Sequence, residues 1–376
     1  MVYPLLPIFG RGLDVDLQTL SLALTLRGLS GIFGPFLASI ADSKGRKVGM
    51  LFGLGLFTCG TGLLTGWNSY FAFVLMLVLS IIGNFVFIPS MQAYLGDRVP
   101  YQRRGAVLAI TELSWSLSFI IGIPIVSWLI ANFGWQAPFP LLTGLSLTAF
   151  VIITIMLPKD NHASLQIGML RTNLKRIFNY APALGGILVA VAISASNELF
   201  NLIFGVWMED TFQVALASLA AAAVIIGVSE LGGELLVSIS SDTIGKRRAI
   251  TVGLLINCAA VVMLAFSGRS LVIALVSLFI FYISFEFALV SSIPLMTEVL
   301  PAARATFMAT FIAGLSLGRA LGAVISPLLY ELGHTVPSMP SIGIIALGAI
   351  GLNLGALAAL QLVRPTTVQE AHQIDP

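Results

Sequence analysis

Charged residues are scarce in this chain of 376 residues, of which only 10% are Asp, Glu, Lys or Arg. A soluble globular domain carries roughly a quarter. Hydrophobic residues make up 57% of the chain, and its mean hydropathy is +0.99. Such a composition requires a lipid bilayer as solvent. The net charge of +2 is too small to indicate nucleic-acid binding, so no nucleic-acid partner is expected.

Cysteine and histidine, the side chains of most metal and redox sites, are also scarce. The two cysteines, Cys59 and Cys258, fall in separate apolar stretches, and the three histidines fall in loops or in the tail. No cluster of soft ligands results, and Gly245-Lys246 lacks the following Ser or Thr of a phosphate-binding loop. We therefore expect no metal site, no cofactor and no ATP hydrolysis within this chain.

Long apolar segments fill most of the sequence. A membrane-spanning helix needs about 20 mainly apolar residues, because its backbone must satisfy its own hydrogen bonds in lipid. Eleven segments meet this requirement, near 17–41, 48–66, 71–95, 105–131, 137–157, 182–208, 213–240, 248–267, 271–296, 304–330 and 339–362. Residues 1–9 are apolar but too short to span, and we interpret them as the outer end of a first helix whose first half is missing. The eleven segments are therefore numbered predicted spans 2 to 12.

Basic residues are distributed unequally between alternate loops. Fifteen of the 19 Lys and Arg residues fall in loops on one side, and only Arg11 and Arg269 fall in loops on the other. An excess of basic residues marks the cytoplasmic side. We therefore expect a monomer in the plasma membrane, with the central loop and the C-terminal tail in the cytoplasm.

The longest polar break, at 158–181, divides the chain into two similar halves. We predict an N-terminal bundle at 1–157, a cytoplasmic linker at 158–181, a C-terminal bundle at 182–362 and a tail at 363–376. Within the linker, Leu170, Leu174 and Ile177 alternate with basic residues, which suits an amphipathic helix at the lipid headgroups. A solvated linker is the alternative.

A short charged turn occurs twice. Asp42-Ser43-Lys44-Gly45-Arg46-Lys47 follows span 2, and Asp242-Thr243-Ile244-Gly245-Lys246-Arg247 follows span 8, 200 residues later. Each copy joins the end of one apolar segment to the start of the next. Repetition at equivalent positions of two halves indicates an internal duplication, which is common among membrane transporters.

The first copy, with the preceding Gly34-Pro35-Phe36-Leu37-Ala38-Ser39-Ile40-Ala41, resembles the helix 2 to helix 3 signature of the major facilitator superfamily. The segments at 97–104 and 298–304 are similar to its secondary loop signature, and Phe133-Gly134-Trp135 is also similar to its members. The resemblance covers essentially the whole chain. It implies an all-α polytopic membrane protein of two pseudo-symmetric six-helix bundles, with eleven complete spanning helices and a remnant of helix 1.

The resemblance also implies a role for the repeated turn, which in this family stabilises one access state. We expect Asp42, Gly45 and Arg46, with Asp242, Gly245 and Lys246, to act as a conformational latch on the cytoplasmic side. Besides the missing first half of helix 1, the sequence departs from many proton-coupled members in two places. Span 4 carries no charge, and span 5 reads Gly122-Ile123-Pro124. Both departures concern coupling and not membership of the family.

Ionisable residues inside predicted spans are the main candidates for function, since each costs about 2.5 to 3.5 kcal/mol at mid-helix on insertion scales. The seven are Arg27, Glu112, Glu198, Glu230, Glu234, Glu286 and Arg319. Helical spacing adds Asn201, which shares a polar stripe with Asn197 beside Glu198. We expect these residues to line a cavity or to couple transport. For any one of them, an interhelical hydrogen bond or a site near the membrane interface is the alternative.

In the resembled fold, helices 2 and 11 meet across the interface between bundles, as do helices 5 and 8. This arrangement would bring Arg27 near Arg319, and Glu112 near Glu230 and Glu234. Apolar surroundings disfavour a charged carboxylate, so Glu198, Glu230 and Glu286 are candidate proton carriers. Pairing with Arg27, Arg319 or a cationic substrate is the competing interpretation.

The leading hypothesis is a secondary transporter that moves a small organic solute by alternating access, as proton-coupled efflux. A second hypothesis is a facilitator or importer of a sugar or organic anion, because Arg27 and Arg319 near mid-membrane would suit an anionic group. A membrane enzyme or a non-transporting scaffold forms a third class. Against an enzyme, the sequence lacks a metal cluster, a nucleophile motif and a phosphate loop.

Overall fold

The structure is a computed structural model that describes residues 3–33, 45–98, 114, 117–158, 167–213, 216–268, 270–300, 303–336 and 340–364. Within these ranges the chain is helical, without a β-strand. It divides into two compact units, unit 1 at Met1–Gln166 and unit 2 at Ile167–Pro376. The division lies inside the polar break that separates the two apolar halves of the sequence.

Unit 1 contains six described helices. They are α1 at Leu6–Leu13, α2 at Leu17–Ile32, α3 at Arg46–Gly66, α4 at Tyr70–Arg98, α5 at Ile123–Phe133 and α6 at Pro138–Met156. A π-helical turn at Ser118–Gly122 leads into α5. Pro124, at the start of α5, has no backbone N–H, and a wider turn accommodates the missing bond.

Unit 2 contains seven described helices, one of which is short. They are α7 at Ile167–Phe178, α8 at Ala181–Phe212, α9 at Leu216–Ile244, α10 at Lys246–Ala265, α11 at Leu271–Met296, α12 at Arg304–Thr335 and α13 at Gly343–Leu360.

Nine of the described helices are long and apolar enough to cross a membrane, namely α3, α4, α6 and α8 to α13. Predicted spans 2 and 5 correspond to α2 and to Ser118–Phe133, but parts of both spans lie outside the described residues. The chain is therefore a multi-pass membrane protein, and the count of eleven spans stays a prediction.

The segment interpreted as a remnant of helix 1 is shifted relative to the prediction. The α-helix runs from Leu6 to Leu13, after a short 3₁₀ turn, and does not end at Phe9. Its inner face is buried, and the Phe9 ring packs 5.6 Å from Phe73 and 6.2 Å from Trp135, measured between centroids. Trp135, in the Phe133-Gly134-Trp135 turn, therefore packs against α1.

The helices of the two units pair in the same order. In unit 1, α3 packs on α4 and α6, and α2 packs on α4. In unit 2, α10 packs on α11 and α13, and α9 packs on α11. Unit 2 also contains a close pair, α8 and α12, where a Cβ at Gly318 would lie 2.3 Å from the backbone oxygen of Val191. Small residues permit such contacts between membrane helices.

Helix α7 packs against the other helices of unit 2 and is not a freely solvated segment. Ile177 is fully buried in the unit 2 core, and Leu174 and Tyr180 pack against that core. The Asn173 side-chain amide donates to the Thr306 hydroxyl of α12 over 3.2 Å. This part of the linker is therefore an amphipathic helix, which is one of the two interpretations that the sequence allowed.

Candidate functional site

The two copies of the charged turn have the same backbone geometry. Gly45 has φ 99° and ψ 142°, and Gly245 has φ 87° and ψ 133°, each at the cap of the following helix. Each glycine oxygen accepts the first helical hydrogen bond, at 3.0 Å from the nitrogen of Gly49 or Ala249. Since a side chain is strained at these φ values, the turn requires glycine in both copies.

The last residue of each repeated turn, Lys47 or Arg247, reaches the end of the last helix of its own unit. Lys47 Nζ donates to the backbone oxygens of Thr154 and Leu157, over 2.8 and 2.5 Å. In unit 2, Arg247 donates to the Gln361 side chain over 2.7 Å. The turns therefore hold helices together inside each unit.

Lys246 forms an ion pair with Glu298, just beyond the end of α11. This contact joins the repeated turn to the secondary loop signature. Asp42 lies outside the described residues. Asp242 lies in the last turn of α9, but its side chain is not described. The latch contacts expected of these two carboxylates therefore remain predictions.

A chain of hydrogen bonds joins α8 to α11. The Tyr282 hydroxyl donates to Asn201 Oδ1 over 2.6 Å, and Asn201 Nδ2 donates to Asn197 Oδ1 over 2.6 Å. Tyr282 and Asn197 are buried, with 2% and 7% of their surface exposed. In the part of the chain that the structure describes, Asn197 Nδ2 has no partner. The chain therefore ends in a buried donor, which could bind an acceptor group.

The predicted carboxylates in unit 2 lie at helix contacts. Glu198 is 1% exposed and packs against α12, where a Cβ at Gly322 would lie 2.7 Å from Glu198 Cβ. Glu286 on α11 packs against α9, where a Cβ at Gly233 would lie 2.7 Å from Glu286 Cβ. Glu230, 8% exposed, and the partly buried Glu234 flank that glycine on α9. Adjacent helices thus place Glu286 beside the segment that carries Glu230 and Glu234.

The two arginines predicted inside the membrane lie in different units. Arg27 Nη1 donates to the Tyr3 hydroxyl over 3.1 Å, and its guanidinium lies 6.0 Å from the centre of that ring. Arg319 is partly buried on α12. The predicted proximity of these arginines stays a prediction, as does the position of Glu112, which lies outside the described residues.

One polar cluster was missed by the sequence-based predictions. Asn353 on α13 donates to Asn257 Oδ1 on α10 over 2.8 Å, and Asn257 Nδ2 donates to the Phe281 carbonyl and to the Ser284 hydroxyl on α11. We call these three polar residues the asparagine clasp. All three are buried and bonded, so the clasp is a structural element. Two isolated asparagines inside apolar segments are the signal that could have indicated it.

Among the described residues, no group of three or more His, Cys, Asp or Glu side chains could hold a metal ion. Cys59 is exposed and Cys258 partly exposed, and both are free. The fully buried polar side chains in the described part of unit 2 are carboxylates, amides and hydroxyls.

The fold and these buried polar groups define an all-helical, multi-pass membrane protein with two units. The family model of the Major Facilitator Superfamily matches residues 1–193 and again residues 183–374. The chain belongs to the Major Facilitator Superfamily. The resemblance identified from the repeated turn is thereby confirmed.

Relatives in sequence are other members of this superfamily. An uncharacterized MFS-type transporter of Bacillus subtilis, YwfA, is 33% identical over 37% of this chain and 34% of its own length. Another, YceJ, is 23% identical over 88% of this chain and 85% of its own length. The quinolone resistance protein NorA of Staphylococcus aureus is 23% identical over 54% of this chain and 53% of its own length.

The chain spans about half or less of the length of several relatives, including YwfA and YtbD of Bacillus subtilis. Among solved structures, the nucleoside transporter NupG matches with a TM-score of 0.75 at 16% identity, over 96% of this chain and 95% of its own. A peptide transporter, POT, matches with a TM-score of 0.73 at 15% identity, over 94% and 88%. At these identities the matches establish the fold alone.

Proposed function

We propose that this protein is a secondary transporter, and not an enzyme, that moves a small organic solute across the plasma membrane by alternating access. The observation that carries the proposal is the set of buried polar groups in unit 2 of a superfamily member. Glu198 and Glu230 are less than one tenth exposed, and so are Asn197 and Tyr282. Groups of this kind are costly in a membrane and mark solute or ion pathways.

Proton-coupled efflux is the form of transport that we propose. A carboxylate in apolar surroundings is disfavoured in its charged form and can take up and release a proton. Glu198, Glu230 and Glu286 are the proposed carriers, with Glu234 and Glu112 as further candidates. The hydrogen-bond chain of Asn197, Asn201 and Tyr282 lies on α8 and α11 and supplies neutral polar contacts for a solute.

The test is reconstitution of the protein in vesicles with an imposed pH gradient and a panel of solutes. We expect solute-dependent proton movement, and we expect Glu198→Gln, Glu230→Gln or Glu286→Gln to lower it. Glu331→Gln is the matched control, because Glu331 is an exposed carboxylate near the far end of α12. Undiminished coupling in all three variants would exclude the proton role.

We further propose that the repeated turns set the balance between access states, with Asp42 and Asp242 acting on the cytoplasmic side. The bonds of Lys47, Lys246 and Arg247 support this proposal, because they make each turn a rigid connection within its unit. Asp42→Asn should lower the transport rate while leaving thermal unfolding unchanged. Normal transport in that variant would contradict the latch.

A facilitator or importer of a sugar or organic anion is the second candidate. The observation that favours it is a partly buried guanidinium in each unit, Arg27 and Arg319, since arginine suits carboxylate and phosphate groups. Uphill accumulation of such a solute inside right-side-out vesicles, with loss of transport in Arg319→Gln, would favour an importer over efflux.

A further inference from the structure

Two helix ends meet at the side of unit 2 that lies away from α7. Helix α7 packs at the start of α12, through Asn173 and Thr306, so the ends of α8 and α12 lie at the opposite side. There the buried Tyr330, which is 4% exposed, donates from its hydroxyl to Asp210 Oδ2 over 2.8 Å. The His334 ring lies at 84° to the Tyr330 ring, with 4.7 Å between the two centroids. We call Asp210, Tyr330 and His334 the helix-end tie.

The charges around the helix-end tie are mostly negative. The last turn of α8 carries Glu209 and Asp210, and the carbonyl end of a helix is itself negative. Helix α12 adds Glu331 near its own end, while α13, which also packs against α12, carries no titratable side chain between its ends. His334 is the one basic residue in the described last turns of α8 and α12, and it is exposed to solvent. A positive charge on His334 is therefore attracted by its surroundings.

The helix-end tie lies beyond a proline in α12. Pro327 has no backbone N–H, and a proline inside a helix is a site where the helix bends. Before this proline, Gly322 packs against the buried Glu198 of α8. After it, Tyr330 bonds the end of α12 to the same helix. One pair of helices therefore buries Glu198 on one side of the proline and carries the tie on the other.

We propose that the helix-end tie is a pH-sensitive device that holds α8 and α12 together more strongly when His334 is positively charged. Histidine is the side chain that changes charge near neutral pH. The contact with the Tyr330 ring keeps His334 next to the negative ends of both helices. Because the charge gains these contacts only in the folded chain, it adds stability at low pH. This stability is lost as pH rises and the proton leaves.

The competing explanation involves α12 alone. His334 follows Glu331 by three residues, so a charged His334 could pair with Glu331 and with the end of its own helix. The two explanations differ in the role of Asp210, which lies on α8. If the tie is the cause, removing the charge of Asp210 reduces the effect of a charge on His334. If α12 alone is the cause, the charge of Asp210 makes no difference and that of Glu331 does.

The experiment measures thermal unfolding of the full chain in detergent at about pH 5.5 and about pH 8, on either side of the range in which histidine changes charge. We expect the wild type to exceed His334→Gln in unfolding midpoint by about 2 °C more at the lower pH. This pH-dependent difference should fall by about half or more in the Asp210→Asn background, since asparagine keeps an acceptor for Tyr330 and removes only the charge. Tyr330→Phe, which breaks the bond and keeps the ring, is the second variant and should lower the difference as well.

The matched controls are Glu331→Gln, a background in which the pH-dependent difference should remain, and His372→Gln, which removes a histidine of the C-terminal tail and should show no such difference. Three outcomes would overturn the proposal. They are a difference between the wild type and His334→Gln that is equal at both pH values, an undiminished difference in both the Asp210→Asn and the Tyr330→Phe backgrounds, and its loss in Glu331→Gln. Because unfolding is measured without transport, failure here leaves the proposed function untouched.

Discussion

The two units bury different kinds of polar side chain. In the described part of unit 1, the buried polar residues are all hydroxyl residues, namely Ser21, Thr61, Ser90, Ser127 and Ser146. Unit 2 also buries Asn197, Glu198, Glu230, Asn257 and Asn353. A hydroxyl can bond to its own helix, as Thr61 does to the Phe57 carbonyl, whereas the buried amides of Asn257 and Asn353 bond to residues on other helices. Among the described residues, the fully buried amides and carboxylates thus all lie in unit 2.

The two units differ in their buried polar side chains although their backbones are similar. The turns at Gly45 and Gly245 have nearly equal dihedral angles, and the helices that follow them pair in the same order. The pairs α3–α6 and α10–α13 occupy corresponding places. The first is joined by hydroxyl bonds, from Thr58 to Ser146 and from Thr143 to Thr61, each 2.9 Å long. The second is joined by the asparagine clasp. The fold therefore tolerates different polar chemistry at one helix contact.

The largest expected effect tests two corresponding helix contacts, α3 with α4 in unit 1 and α10 with α11 in unit 2. A Cβ at Gly53 would lie 2.5 Å from the Gly83 backbone oxygen, whereas one at Gly253 would meet the Ala288 Cβ at 2.9 Å. A backbone oxygen cannot move aside, so Gly53→Ala should lower the free energy of unfolding by about 3 kcal/mol and Gly253→Ala by about 1 to 2. Chemical unfolding in detergent measures both.

The controls for these variants come from the same helices or their neighbours. At Gly55, on α3, the nearest atom to an added Cβ is 3.8 Å away, and at Gly351, on α13, nothing lies within 4 Å. Alanine at either position should be neutral or slightly stabilising, because alanine favours helix more than glycine does. Equal losses at Gly53 and Gly55 would show that the close approach is not the cause.

The second prediction sharpens the contrast between amides and hydroxyls. Asn257→Leu should cost about 1 to 2 kcal/mol, because it leaves the buried Asn353 amide without its acceptor. Thr143→Val in unit 1 should cost less than about 1 kcal/mol, since the partner Thr61 keeps a bond to its own helix. Calorimetric or chemical unfolding compares the two.

A double-mutant cycle on Asn257 and Asn353 isolates the bond between them. We expect a coupling energy of about 0.6 kcal/mol and at most about 1.7 kcal/mol, which are the mean and the largest value found for hydrogen bonds between membrane helices. A coupling energy near zero would mean that the bond between Asn257 and Asn353 adds no net stability.

The third prediction concerns the ion pair of the second turn. Lys246 and Glu298 are 30% and 46% exposed at their side chains, so solvent weakens their attraction. Lys246→Met should cost up to about 1 kcal/mol, and the cost should shrink as salt is added. Lys47→Met, which removes bonds to two backbone oxygens at the end of α6, should depend less on salt. An equal salt dependence would contradict this distinction.

The sequence predicted the helices well and their side-chain contacts poorly. Apolar length locates a spanning helix such as α11 at 271–296, because lipid requires every backbone group to be bonded within the segment. The clasp joins residues 96 positions apart, and the Lys246–Glu298 pair spans 52. Nothing in helical periodicity specifies which neighbouring helix a polar side chain meets.

The candidate site shows the same limit. Spacing along α8 placed Asn197 and Asn201 on one face, and the structure joins them by a hydrogen bond. Glu198 follows Asn197 directly, so its side chain points about 100° away around the helix and meets α12 at Gly322. Periodicity indicates which residues share a face. The identity of the element against that face comes from the packing of the whole unit.

The smallest expected effect lies at the start of α2, where Asp16 accepts a 2.8 Å hydrogen bond from the Thr19 backbone nitrogen. Hydrogen bonding from Thr19 lowers the pKa of Asp16 below its ordinary value. A group with a lowered pKa adds stability above its ordinary pKa, and this stability is lost as pH falls through the lower folded value. Thermal unfolding at pH 7 should therefore show Asp16→Ala less stable than the wild type. The difference should narrow below about pH 4, where the carboxyl takes up its proton.

Ser270 caps α11 of unit 2 with a hydroxyl that does not titrate, so the difference between Ser270→Ala and the wild type should stay constant over the same pH range. A constant difference for Asp16→Ala would mean that the cap acts through shape and not through charge.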